Sequence, residues 1–459
     1  MNFYAMWRAR RCVSVLWIAG SMVGCATTGQ DSYEAMHADV DRTTVADARA
    51  RADDERALEG PELSRSTYVR AVLHRNPSIE SARQAWRAAV ARVRESGAFE
   101  DPMVTFDVAP LSIGSSSVRL GYDATVSQRV PWPGKLSLEE TASKAEAQAA
   151  RSDVEGTRRE LALTASLLYD AYFVAARSLE INMQHIALMR ELKAGALAQF
   201  DSGRGSAQDP LEAEAELTHM EHAAVTLESD REVVMAQMNE LLHRDPEAAL
   251  PPPTKDIALP QLPGAADGKR FGEEAVARRP EIQSDRFHAL AEKARAERAE
   301  RESYPDLTVS TSYSSMWAMP EHRWMVGLGL NVPIQLGRRA GAVDEANAAR
   351  ARFESDALSA ADKARTEVVV ALKRLDEAQH IVGLFADRLI PVARDQVDAA
   401  RAGFVASRND FVAVVGAEKN LRSVELDYQM ARANVDRRRA ELDAALGRIP
   451  GLDAKDGGR

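Results

Sequence analysis

The sequence predicts an α+β membrane protein, internally duplicated, in which strands of a transmembrane β-barrel run on into long α-helical coiled coils. Three observations predict it. The chain repeats itself at a nearly constant offset, each copy carries two segments of alternating apolar and polar residues, and each copy then enters a helical run too long for an ordinary globular core.

The first residues have the layout of a secretory signal peptide. Arg8, Arg10 and Arg11 precede an apolar run from Cys12 to Val23, too short to span a bilayer as a helix. The run ends in Met22-Val23-Gly24-Cys25, which resembles a bacterial lipoprotein signal: residues 1–24 are removed and Cys25 is lipidated. An ordinary signal peptide cut near Ala26 is the other reading. Asp after the lipidated Cys favours inner-membrane retention; Ala26 stands there, so the resemblance implies the outer membrane. Cys12, the other of the two cysteines, leaves with the signal, so no disulfide is expected even in an oxidising compartment. Loss of three Arg and no acid takes the formal charge from −10 to −13, which argues against nucleic acid as a partner. No run of about 18 apolar residues comes after Cys25, leaving an anchored soluble protein or a β-barrel.

The repeat sets the domain organisation. Arg75-Asn76-Pro77-Ser78-Ile79 is answered by Arg278-Arg279-Pro280-Glu281-Ile282, Pro102 by Pro305 and Pro131 by Pro333. Further on, Phe200 is answered by Phe404, Arg204 by Arg408, Leu217 by Leu421 and Leu242 by Leu446; the offset stays between 202 and 204. This divides the chain into an N-terminal linker or equatorial segment, 25–62, a first repeat, 63–245, a proline-rich, semi-rigid extended linker, 246–264, a second repeat, 265–450, and a disordered tail, 451–459.

Each copy opens with a short helix at Asn76-Pro77 or Arg279-Pro280, since Pro suits a first helical turn. Period-two segments come next. In 103–109, Val104, Phe106 and Val108 oppose Thr105 and Asp107; in 117–130, Val118, Leu120, Tyr122, Ala124 and Val126 oppose Arg119, Gly121, Asp123, Thr125 and Ser127. The second copy repeats this in 307–313 and 324–332, with Leu307, Val309, Tyr313, Trp324, Val326, Leu328, Leu330 and Val332 on the apolar side. One apolar and one small polar face suit a barrel with lipid outside and water inside, although a half-buried soluble sheet alternates in the same way.

The helical run after each strand pair favours the barrel. From Leu136 to about Phe200 there is no proline, and apolar residues recur at heptad spacing, interrupted where Asn182 and Lys193 take seam positions. Such a rod would be about 97 Å long. The second runs from Arg338 to Phe404, with a kink expected at Pro391. Return helices are expected over about 209–243 and 410–446. Between strand and rod stands Val130-Pro131-Trp132-Pro133-Gly134-Lys135, echoed by Val332-Pro333 and Gly337-Arg338. Pro131, Pro133 and Pro333 deny donors to the sheet, Gly134 and Gly337 permit a change of direction, and Lys135 and Arg338 place charge at the boundary.

This succession of helix, two strands, long helix and return helix, written twice behind a lipoprotein Cys, resembles the TolC-like outer membrane efflux proteins over about Leu63 to Pro450. The Val130–Lys135 junction is most similar to the branch that serves heavy-metal and cation exporters. The resemblance implies a homotrimer sharing one transmembrane barrel, four strands per chain, continuous with a helical coiled-coil barrel across the periplasm. It also implies a periplasmic adaptor, an inner-membrane pump of RND or similar type, and outer membrane lipid as partners. Strand counting by itself requires only that chains share a barrel, since four strands do not close one, and leaves a dimer or tetramer open.

The family's tunnel narrows at the periplasmic tips, where Phe200, Gly203, Ser206, Asp209, Leu211 and Ala213 match its pattern in copy one. Copy two departs from it, with Ser407 at the glycine, Asp410 at the serine and Ala413 at the acid position. Asp209 and Asp410 would form cation-selecting rings, or merely cap their helices. Arg204 and Arg408 would latch neighbouring tips, or are solvated charges. His219 and His222 share a helix face without a third ligand in sequence reach, and Met316, Met319, Met325 and His322 suit an interface belt better than a soft-metal site. No phosphate loop, nucleophile elbow or zinc helix motif is present in the sequence, so no cofactor, metal or catalytic residue is expected and energy must come from a partner. The expected function is a passive exit duct for metal cations or small toxic compounds; the alternative is a lipid-anchored periplasmic coiled-coil spacer without a channel.

Overall fold

The computed structural model describes residues 28–114, 116–255, 268–406 and 408–452. Cys25 and the signal lie outside the described residues, as do Ser407, residues 256–264 of the linker and 453–459 of the tail. In chain order the elements are α1 (Thr28–Leu58), α2 (Arg65–Arg75), α3 (Pro77–Ser96), β1 (Met103–Val108), β2 (Tyr122–Val130), α4 (Lys135–Asp201) and α5 (Gln208–Leu241). The second copy supplies α6 (Gly268–Arg278), α7 (Pro280–Arg301), β3 (Leu307–Ser314), β4 (Trp324–Leu330), α8 (Leu336–Leu384), α9 (Ile390–Val405) and α10 (Phe411–Ala445).

Two units form, and they are not the two repeats. One draws on Met1–Thr43, Ala82–Asp153 and Gln283–Ser359, the other on Thr44–Ser81, Val154–Ile282 and Ala360–Arg459. Each mixes both copies, because strands of both copies hydrogen-bond in one sheet and helices of both copies pack together.

In the first unit the strands make a four-stranded antiparallel sheet in the order β1-β2-β3-β4. The register sorts most of the side chains, with Gln128 and Thr311 the polar exceptions on the apolar face and Met103 and Met325 the apolar ones on the other. Val104 lies opposite Val126 and Phe106 opposite Ala124; Ala124 lies opposite Tyr313, and Val309 opposite Leu328. The other face pairs Thr105 with Thr125, Ser127 with Ser310 and Thr308 with Gly329. Along one end of the apolar face Phe106, Tyr122, Tyr313 and Trp324 touch in sequence across all four strands, with ring centroids 5.3–5.9 Å apart.

The strand bounds differ from the expectation by one residue at the ends of β1 and β3 and by more at two places. β2 starts at Tyr122 rather than Ser117, so Val118 and Leu120 belong to the loop. Loop side chains take the backbone donors there: Gly121 N donates to Ser112 Oγ (2.9 Å) and Tyr122 N to Ser315 Oγ (2.8 Å). β4 stops at Leu330 and excludes Val332: Asn331 N still bonds Asp306 O in register (3.2 Å), but beyond it Pro333 has no donor for the ladder.

In the second unit each repeat builds its own core around equivalent residues. Ile79 and Leu242 are buried in one, Ile282 and Leu446 in the other. Asn76 Nδ2 donates to Leu241 O and Arg279 Nε to Ala445 O, both at 3.0 Å. The residue before each helix-starting proline thus satisfies a carbonyl at the end of a return helix, one of the groups that a helix leaves without an internal partner. Both return helices close with the same pair of bonds, Arg244 N to Asn239 O with His243 N to Glu240 O, and Arg448 N to Asp443 O with Gly447 N to Ala444 O. This is the Schellman arrangement, which needs a left-handed residue. Gly447 has φ 73°, whereas His243 adopts φ 53° against the steric cost of its Cβ. His243→Gly is expected to stabilise the chain by about 1 kcal/mol, read as a higher thermal midpoint, whereas Gly447→Ala would press a Cβ within 3.0 Å of Arg278 and Arg279 backbone and destabilise it.

Three further segments gain detail. The N-terminal segment 25–62 contains a 31-residue helix, Thr28–Leu58. It is tied down where Asp54 Oδ2 meets His74 Nδ1 at 2.6 Å. Over its described part the proline-rich joint is held to the fold, since Leu63 bridges to Pro253 and Leu250 is buried beside Tyr172. At Pro391 the second rod passes through a π-helical turn, Phe385–Leu389, before α9 resumes. Pro391 lacks a donor and its ring would clash with the carbonyl four residues earlier, and the wider turn relieves both.

Candidate functional site

The junction between strands and rods is organised by residues 301–306, between α7 and β3. Asp306 is its hub. Its Oδ1 accepts from Lys135 Nζ (2.8 Å) and from Trp132 N (2.9 Å), and its Oδ2 from Arg129 Nη2 (2.7 Å). Lys135 is buried, with only 5% of its side chain exposed, and also reaches Tyr304 O (3.2 Å) and Glu302 Oε2 (3.4 Å). Burial pushes the Asp306 carboxyl upward, but the hydrogen bonds from Lys135, Arg129 and Trp132 N prevail and hold it at about 2. Arg301 Nη1 donates to Pro133 O (2.9 Å), and the Tyr304 and Trp132 rings stack at 5.3 Å.

Gly134 has φ 92°, a conformation that other residues adopt only with strain, and a Cβ there would also displace the Arg301 guanidinium. Lys135 places its charge at the boundary from a buried position and locks the junction from inside. The second junction works differently. Gly337 lies inside the first turn of α8 rather than at a bend, and Arg338 is exposed. Its neighbour Arg339 makes the contact, Nε donating to Glu302 O at 2.7 Å. The prolines divide in the same way: Pro131 and Pro133 flank Trp132, whose N–H goes to Asp306, while Pro333 lies just beyond the end of β4.

The tips are built by helix ends. In copy one Arg204 N bonds Gln199 O and Gly203 N bonds Phe200 O, both at 2.9 Å, with Gly203 at φ 70°. α5 then begins with a reciprocal pair of capping bonds, Gln208 N donating to Ser206 Oγ (3.1 Å) and Ser206 N to Asp209 Oδ2 (3.3 Å). In copy two Arg408 N bonds Gly403 O at 2.8 Å, the equivalent closure, while Asp410 stands as N-cap of α10 without a side-chain cap bond. Asp209 is thus committed to its helix and Asp410 is not. Arg204 Nε donates to Ser202 Oγ (3.3 Å), within its own loop. The structure brings Gly203, Arg204, Ser206 and Asp209 into one hairpin and Arg408 with Asp410 into another.

Sequence reasoning missed Asp306, the choice of Arg339 over Arg338, and the burial of Lys135. The signal for the first was a lone acid before an apolar strand and a lone Lys after another. Among the described residues no helix is long and apolar enough to cross a membrane, and no group of three or more His, Cys, Asp or Glu is placed to hold a metal ion.

Comparison with known proteins puts this architecture in a class. Residues 272–448 match the family model of the outer membrane efflux protein. No curated protein matches the chain. The fold is similar to that of CusC, solved in conformations that accompany folding and transmembrane channel formation, with 16% identity over 84% of this chain and 92% of that one and a TM-score of 0.72. A membrane protein from Pseudomonas aeruginosa gives 17%, 85%, 92% and 0.69, and the CmeC outer membrane channel of Campylobacter jejuni 15%, 85%, 86% and 0.68, in the same order. These likenesses define the fold as that of outer-membrane channels. By sequence the chain resembles that family over most of its second repeat, and by fold it is similar to these channels over most of its length.

Proposed function

We propose that the chain is the outer-membrane exit duct of a tripartite efflux system. Three copies share one barrel, each anchored through Cys25, and the paired helices carry the duct across the periplasm. The tips at Gly203, Arg204, Ser206 and Asp209, and at Ser407, Arg408 and Asp410, dock a periplasmic adaptor and gate the mouth. An inner-membrane pump supplies the energy, and the substrates are metal cations or small toxic compounds, the tilt toward cations resting on the Val130–Lys135 junction.

One observation carries the reading: a four-stranded sheet with one largely apolar face, a row of aromatic rings along its end, and β1 and β4 as unpaired edges. Lipid tolerates no open edge, and aromatic rows mark the membrane–water boundary. A periplasmic spacer has no use for either feature. The test is the mass of the detergent-extracted protein by light scattering with detergent subtracted. Three chains, extracted only from outer membranes, are expected; a monomer released with its lipid anchor would sink the duct and leave the spacer.

A further inference from the structure

A buried polar cluster lies in the second unit, outside both sites, where α4 of the first repeat meets α9 and α10 of the second. Arg394 and Arg401 stand two turns apart on α9, and Glu425 and Glu418 two turns apart on α10. The helices run antiparallel here, so each arginine takes one carboxylate: Arg394 Nη2 lies 3.2 Å from Glu425 Oε1, and Arg401 holds Glu418 Oε1. Each carboxylate turns its second oxygen to a single imidazole, His185 of α4. Its Nε2 is 3.1 Å from Glu425 Oε2, and its Nδ1 is 3.9 Å from Glu418 Oε2. The side chains of His185 and Glu418 are 7% and 1% exposed. Arg422 of α10 bonds Asn182 Oδ1 and Glu216 Oε1 of α5 instead, both at 3.2 Å.

Only the shorter of the two imidazole contacts is a hydrogen bond. His185 Nδ1 and Glu418 Oε2 are both buried and both without a hydrogen-bond partner. A neutral imidazole carries one N–H. Given to Glu425, it leaves a nitrogen lone pair facing a carboxylate oxygen, two acceptors with no donor between them. The imidazolium has two N–H groups and satisfies both carboxylates.

We propose that His185 is a proton-operated latch between the two repeats. On taking a proton from solvent at Nδ1 it donates to Glu418 as well as to Glu425 and binds α4 to the α9–α10 pair; on losing that proton, the Glu418 contact opens. Imidazole is the side chain that titrates between about pH 5 and 8. The hydrogen bond from His185, against desolvation and with help from Arg394, holds the Glu425 carboxyl below its ordinary range, so the anion persists throughout. His185 lies 16 residues before the end of α4, about 24 Å along the helix, so the latch acts on the shafts and not on the tip loops. It goes beyond the duct reading and does not depend on it.

Hydrogen exchange of the full-length, detergent-extracted protein, corrected for the intrinsic pH dependence of amide exchange, reads the latch. Between about pH 8 and pH 5.5, protection over 182–189 and 415–428 is expected to rise about tenfold in the unaltered protein and to stay flat in His185→Gln. Glu418→Gln gives a second arm, because its amide donates to the neutral Nδ1: protection should sit at the acid level at both pH values. An equal rise in His185→Gln, or a rise that survives in Glu418→Gln, overturns the proposal. If His185→Gln loosens the packing generally, the Glu418→Gln profile still decides.

Discussion

Val326→Arg is expected to remove the protein from the outer membrane as an assembled particle. Val326 lies mid-strand in β4 on the apolar face, opposite Thr311, and is 84% exposed in the single chain. In a shared barrel that exposure is to hydrocarbon, where an arginine near the midplane costs about 2–4 kcal/mol in each chain. Assembly multiplies the cost by the number of copies. Thr125→Arg is the matched control, because Thr125 sits on the polar face, opposite Thr105 and Ser312. Its arginine would face water, and assembly should survive. Membrane fractionation followed by native mass measurement separates the two. Should Val326→Arg assemble as well as Thr125→Arg, the apolar face does not meet lipid.

Asp306→Asn is expected to unfasten the junction at a cost of about 3–5 kcal/mol, the usual penalty for leaving a buried charge without its partner. The stranded group is Lys135, whose remaining carboxylate, Glu302, stands off at 3.4 Å. Arg129 suffers less, since it is half exposed and also meets Glu100 at 3.2 Å. The double change Asp306→Asn with Lys135→Met removes both buried charges and should recover most of the loss. Thermal unfolding, with the midpoint lowered in the single variant and largely restored in the double, measures this. The pH dependence has a definite sign. The folded carboxyl sits at about 2, below an ordinary Asp, so its contribution is complete above about pH 4 and is lost only as pH falls toward 2. The junction should therefore hold throughout mildly acidic conditions, and a loss between about pH 5 and 7 would point to another group.

Much of this was legible in the sequence because it depends on local chemistry. Alternation along 103–109 and 307–313 marks strands, and their two-sided sorting needs only the period of two. The absence of proline from Leu136 to Phe200 allows one helix, and Lys135–Asp201 is one helix. Gly203 at the tip answers a requirement of the helix end itself, a left-handed residue. Local signals also misled. Gly337 and Arg338 occupy the spacing of Gly134 and Lys135, yet α8 starts at Leu336, two residues earlier in that register than α4, and turns both into ordinary helical positions. Ser117 to Leu120 alternate like a strand, but Ser112 and Ser315 draw the backbone donors at Gly121 and Tyr122 away from the ladder.

By itself, then, the sequence determined the elements: the duplication, four strands with one apolar face, the long helices and the Gly and Pro that end them. These come from periodicity and backbone sterics, which act between neighbours along the chain. Only the tertiary structure decided how the copies interlock. Arg129 meets Asp306 across 177 residues, Lys135 meets it across 171, and His185 meets Glu425 across 240. A charge in a sequence reads as solvated until its partner is known, because burial in low dielectric is tolerated only when a distant residue supplies the opposite charge or the missing hydrogen bond.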